Sequence, residues 1–169
     1  DNENDYDEGN DEIANSDDDV NFENQDQDDD FTQVLKKKNI SISCPETHDA
    51  LLEQVNKLSL ADHPKIIKNI IKAYQPKLAE GNNKKLGQFT TVLLRHIIFL
   101  SNQDYSKNVK VFENTQNALI SILKSLSDKY NQALSEECRE YINEMQARFK
   151  NDYFDGLSNG DLVFFSVIG

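Results

Sequence analysis

The sequence predicts an all-α protein, built of helical hairpins in an α-solenoid of the HEAT or armadillo kind or in a bundle, and preceded by a disordered acidic N-terminal arm. Three observations carry this expectation. Apolar residues recur with a period near 3.6 through residues 45–168. Short polar, glycine- or proline-bearing connections separate those stripes. Acidic residues crowd into the first thirty positions, where apolar residues are scarce. The expected organisation is an acidic arm over 1–30, an extended linker over 31–44, and a helical repeat region over 45–169 that is truncated at its C-terminus.

Residues 1–30 hold 15 of the chain's 30 acidic residues and none of its 18 basic ones, so the body is a mildly basic unit of net charge +3. Within the arm only Tyr6, Ile13, Ala14, Val20 and Phe22 are apolar. They cannot bury enough surface to offset a backbone ordering cost of roughly 1–2 kcal/mol per residue. Ser16, followed by Asp17-Asp18-Asp19, fits a site for an acidophilic kinase. The linker contains Lys36-Lys37-Lys38 and the alternating Asn39-Ile40-Ser41-Ile42-Ser43, and Cys44-Pro45 closes it.

The helices follow in order. Thr47 is the expected N-cap of a helix with stripe Leu51, Leu52, Val55 and Leu58. Asp62 is expected to cap the next, with Pro64 in its first turn and Ile66, Ile67, Ile70, Ile71 and Tyr74 on one face. Gln75-Pro76 ends it, and Gly81 suits a left-handed conformation before Asn82, the expected cap of the third helix. That helix is apolar around most of its circumference (Leu86, Phe89, Leu93, Ile97 and Leu100, widened by Val92, Leu94, Ile98 and Phe99), which predicts that it is sandwiched between neighbours. A further helix carries Leu119, Ile122, Leu123, Leu126 and Tyr130. Ser135 is expected to cap one with Cys138, Tyr141, Ile142, Met145 and Phe149, and Asp161 to cap the last, 162–168. The last is so apolar that Leu162, Phe164, Phe165 and Ile168 are expected to need neighbours that a truncation has removed.

Candidate chemistry is sparse. His48, His63 and His96 lie on three different helices, and none forms an HExxH or other i, i+4 metal pair, so capping or surface roles are expected. Cys44 and Cys138 have no metal-ligand spacing and read as free thiols of a reducing compartment. No glycine-rich phosphate loop or nucleophile elbow is visible, and Glu136-Glu137 sit where a helix dipole alone justifies them. The expectation is no catalytic residue, no metal and no cofactor. Lys65, Lys68 and Lys72 share a helix face, and with Lys77, Lys84 and Lys85 they form a candidate basic patch for RNA phosphates; the plainer reading is a solvated helix face.

The order of motifs carries a resemblance. Cys44-Pro45-Glu46-Thr47-His48 and Ala61-Asp62-His63-Pro64 each begin a helix, and Pro76-Lys77-Leu78-Ala79-Glu80-Gly81-Asn82-Asn83-Lys84-Lys85-Leu86 follows. This resembles the central region of the nucleolar protein 14 family, whose pattern there is His-Pro-x-Leu-Ala-x-Gly-Asn-Lys-x-Lys-Leu. Gln75 stands for the His and Asn83 for the first Lys. The acidic tract upstream and Gly160-Asp161-Leu162-Val163-Phe164-Phe165 are also similar. The likeness covers about 30–169 and is strongest over 44–100. It implies a nucleolar, nuclear scaffold of the small-subunit processome that supports 18S ribosomal RNA maturation and 40S assembly. The implied partners are other pre-ribosomal assembly proteins, among them a nucleolar-complex protein and a pseudouridine methyltransferase, and a particle of pre-rRNA and snoRNA met by non-specific contacts. The competing reading is a histone-chaperone-like adaptor that binds basic proteins through the arm.

Overall fold

A computed structural model describes residues 28–152 and 156–169, and among these every regular element is helical. Seven α-helices follow one another: α1 (Asp28–Lys37), α2 (His48–Val55), α3 (His63–Ala73), α4 (Asn82–Ser101), α5 (Val109–Ser127), α6 (Asn131–Asn151) and α7 (Asn159–Ile168). Short 3-10 turns, Leu60–Asp62 and Pro76–Leu78, precede α3 and α4.

The apolar helix α4 organises the rest. Leu86, Phe89, Leu93, Leu94 and Ile97 are completely buried, because α4 packs against α2, α5, α6 and α7 at once. Each such side chain contributes about 1.5–3 kcal/mol by leaving water. The packing is therefore centred on one helix, whereas in a stacked solenoid each repeat touches only its neighbours. On α3, Ile66, Ile67, Ile70 and Ile71 are also fully buried, as their spacing predicts.

Residues 31–44 depart from the extended linker expected of them. Residues 31–37 belong to α1, with Phe31 and Leu35 in the core. Phe31, Val34 and Leu35 give the i, i+3, i+4 stripe, and Lys36 and Lys37 complement the dipole in the last turn. Asn39 then adopts φ 53°, and Ile40 N–H bonds the Leu35 carbonyl at 2.9 Å while Asn39 N–H bonds that of Lys36 at 3.1 Å. This is a Schellman ending, in which asparagine replaces the usual glycine. Beyond it, residues 40–45 carry no regular secondary structure. Residues 1–27, with Ser16 and most of the acidic arm, lie outside the described residues; the last three arm residues open α1.

Several caps differ from expectation. Thr47 does cap α2, accepting from Ala50 N–H at 3.2 Å. Asp62 occupies the N-cap of α3 but accepts from Ser59 Oγ and Lys65 Nζ rather than from the helix backbone. Gly81, at φ 85°, is the N-cap of α4; Asn82 is inside the helix and donates to the Gln75 carbonyl at 3.0 Å. Helix α6 begins at Asn131, so Ser135 is one turn inside it. The cap of α7 is Ser158, and Asp161 is its N3 partner in a capping box.

Candidate functional site

Three features gather the polar chemistry and the exposed apolar surface of the body. The first joins the three histidines, which sequence spacing scattered. His48 Nε2 lies 3.1 Å from His96 Nδ1, and His63 Nδ1 lies 3.0 Å from His96 Nε2. His96 is fully buried in α4, so the expected capping or surface role is replaced by a buried imidazole chain linking α2, α4 and α3. His63 also hydrogen-bonds the Val55 carbonyl. Each of the two ring contacts needs one N–H and one bare ring nitrogen, which three neutral imidazoles supply in either direction along the chain. Burial pushes His63 down to about 4 and His96 to about 3, and lowers His48 as well. These are neutral imidazoles arranged in a line, not a tripod. Among the described residues no group of three or more His, Cys, Asp or Glu is placed to hold a metal ion. The one sequence signal was His96 itself, a polar residue within a nearly continuous apolar helix.

The second feature fastens α6 to its neighbours. Asp161 is fully buried at the start of α7. It accepts from Tyr141 OH at 2.6 Å, from both terminal nitrogens of Arg148 at 2.6 and 3.1 Å, and from Ser158 N–H at 2.9 Å. Burial alone would raise its pKa, but these donors hold the carboxyl well below the usual carboxylate range. Arg95 of α4 bonds Glu137 and Glu144 of α6 and lies over the Tyr141 ring. These charges hold helices together, and pairings across 13 residues (Arg148–Asp161) or 42 and 49 (Arg95 with Glu137 and Glu144) were not readable from spacing.

The third feature is the outer face of α7. Leu162, Phe165 and Ile168 are 55%, 48% and 43% exposed, whereas Phe164, expected to lack neighbours too, is buried against Tyr141. Three apolar grooves border this face. One of about 430 Å³ runs between the start of α5 and α7, over Phe112 and Val163. One of about 410 Å³ lies between the end of α6 and α7, over Ile142, Phe149 and Leu157. One of about 580 Å³ lies where the end of α7 meets α5 and α6, over Leu123, Leu134 and Val167.

The candidate basic patch is less uniform than its sequence. Lys65 is tied to Asp62 at 3.0 Å and rests over Phe31, and Lys85 rests over the Tyr74 ring. Lys68 is half-buried; Lys72, Lys77 and Lys84 are exposed. Cys44 and Cys138 are free thiols whose pKa burial raises, Cys44 to about 11, so neither is an activated nucleophile. No helix among the described residues is long and apolar enough to cross a membrane.

A body centred on one apolar helix, with polar side chains bonded between its helices and an apolar ridge left outside, defines an all-helical unit packed around α4. The chain belongs to the Nop14-like family, which it matches over residues 1–169. It is 76% identical over 99% of its length to nucleolar complex protein 14 of Saccharomyces cerevisiae. It is 50% identical over 93% of its length to the probable nucleolar complex protein 14 of both Kluyveromyces lactis and Candida glabrata. It spans about one fifth of the length of these relatives, at 21%, 20% and 19%. Its localisation is the nucleolus, within the nucleus.

Proposed function

We propose that this chain is a non-catalytic scaffold unit of the small-subunit processome, where it supports 18S pre-rRNA processing and early 40S assembly. Membership of the Nop14-like family across its whole length carries this reading. The described side chains are consistent with it: the histidines, Asp161, Arg95 and Arg148 bond one another or neighbouring helices. The partners are other pre-ribosomal assembly proteins, among them a nucleolar-complex protein and a pseudouridine methyltransferase, met mainly along helical faces. Contact with pre-rRNA is electrostatic, through Lys65, Lys68, Lys72, Lys77, Lys84 and Lys85. Such contact adds salt dependence without sequence preference.

The test deletes residues 28–169 from a full-length family member in cells depleted of the endogenous protein. The expected result is that the protein leaves large pre-ribosomal particles on a sucrose gradient and 18S precursors accumulate. Normal particle association together with normal 18S levels rejects the proposal.

A further inference from the structure

We propose that the outer face of α7 is a docking surface for an amphipathic helix with acidic flanks, supplied by an assembly partner. The inference deepens the scaffold reading and rests on it by naming the kind of partner that this unit receives.

The shape of the surface argues for a helix. Leu162, Phe165 and Ile168 fall at i, i+3 and i+6 on α7 and stand out as a ridge. Such a row fits between the side-chain rows of another helix, and grooves lie on either side for that helix's own apolar residues. Helices form the groove walls, and no strand edge among the described residues offers a ladder to an extended peptide.

The charge of the rims argues for acidic flanks. Among the described residues lining the three grooves, the charged side chains are Lys124, Arg139, Lys150 and Asp128. None of the three cations is ion-paired among the described residues, whereas Arg95 and Arg148 elsewhere on the body are held by carboxylates. These cations, with no ion pair among the described residues, stand beside one flanking groove (Lys150) and beside the groove at the end of α7 (Lys124 and Arg139), and they favour a partner with Glu or Asp flanking its apolar stripe over a basic one. Nucleic acid fits less well, because the ridge itself carries no charge and one aromatic ring.

The test places a photo-crosslinking benzoylphenylalanine at position 165 of the protein in cells, and crosslinked peptides are sequenced by mass spectrometry. The expected product is a protein segment with a 3.6-period apolar stripe and net negative charge. Its yield should fall about ten-fold with Lys124→Glu, Arg139→Glu and Lys150→Glu combined, as three rim ion pairs of ordinary strength imply. The corresponding triple Gln variant should give a smaller loss, and it replaces the Glu variant should that one fail to fold. Crosslinks to RNA, to a basic segment, to another segment of the same protein or to nothing overturn the proposal, as does a yield indifferent to both charge variants. The two readings fail separately. An acidic-helix crosslink, with 18S maturation normal after deletion of 28–169, removes the scaffold role and keeps the surface. Defective maturation after deletion without such a crosslink does the reverse.

Discussion

The backbone N–H of Gly160 donates to the side-chain carbonyl of Asn102 at 2.7 Å, so α7 crosses the end of α4 at a point with no room for a side chain. A Cβ on Gly160 would lie 2.6 Å from Asn102 Nδ2 and 2.8 Å from Ile98 Cγ2. Gly160→Ala is therefore expected to destabilise the body by about 1–3 kcal/mol through overpacking. Adding Asn102→Ala should recover only part of this, since the Ile98 clash remains. Denaturant unfolding of the two variants checks it, and a neutral Gly160→Ala would show that α7 does not seat here.

Asp161 predicts a local effect. Asp161→Ala leaves Tyr141 OH and Ser158 N–H without their acceptor and removes the carboxylate that holds Arg148. The expected cost is about 1–3 kcal/mol, the range for buried donors left without an acceptor, because the Arg148 that remains is half exposed and can turn to water. Hydrogen exchange should show α7 opening first, with α2 and α3 still protected. Uniform loss of protection across all helices would contradict a local clamp.

The histidine chain predicts acid sensitivity of a definite sign. His63, at about 4, and His96, at about 3, sit below the roughly 6.5 of an unfolded histidine. Their folded pKa values are depressed, so the unfolded state binds more protons and stability falls as pH drops below about 6.5. Asp49 and Arg95 act on His48, and Asp62 on His63; these opposing charges modulate the effect without reversing it. The Asp161 carboxyl, held low, adds its own loss only below the ordinary carboxylate range near pH 4. His96→Gln keeps a donor and an acceptor but removes one titrating group. It should reduce the slope between pH 6 and pH 4.5 by about 1.4 kcal/mol per pH unit. An unchanged slope, measured by urea unfolding across that window, would refute the chain as the acid-sensitive element.

Phe31 tests the first helix. Phe31 and Leu35 anchor α1, and Lys65 covers the Phe31 ring. Phe31→Ala should cost about 3–5 kcal/mol if α1 shares the cooperative core, and α1 amides should lose protection. A cost below about 0.5 kcal/mol would return residues 31–37 to the status of a surface linker.

The sequence by itself determined the helical class, the Thr47 cap, the buried stripe of α3 and the central place of α4. All of these follow from local backbone chemistry or from the period of apolar residues, which a helix reads out directly along its own axis. Helix α1 was legible too, in Phe31, Val34, Leu35 and the dipole-matched lysines; the alternation of residues 39–43, which suggests an extended segment, begins only where Asn39 ends the helix. What only the tertiary structure decided is which polar residues meet. His48, His63 and His96 lie on three helices, and Asp161 lies on a different helix from Tyr141 and Arg148, which share one face of α6; nothing local constrains a ring nitrogen or carboxylate of one helix to face another. The packing angles of helices around α4 set those distances. The same angles seat Phe164 inside and leave Leu162, Phe165 and Ile168 outside, although all four are apolar and lie on one ten-residue helix.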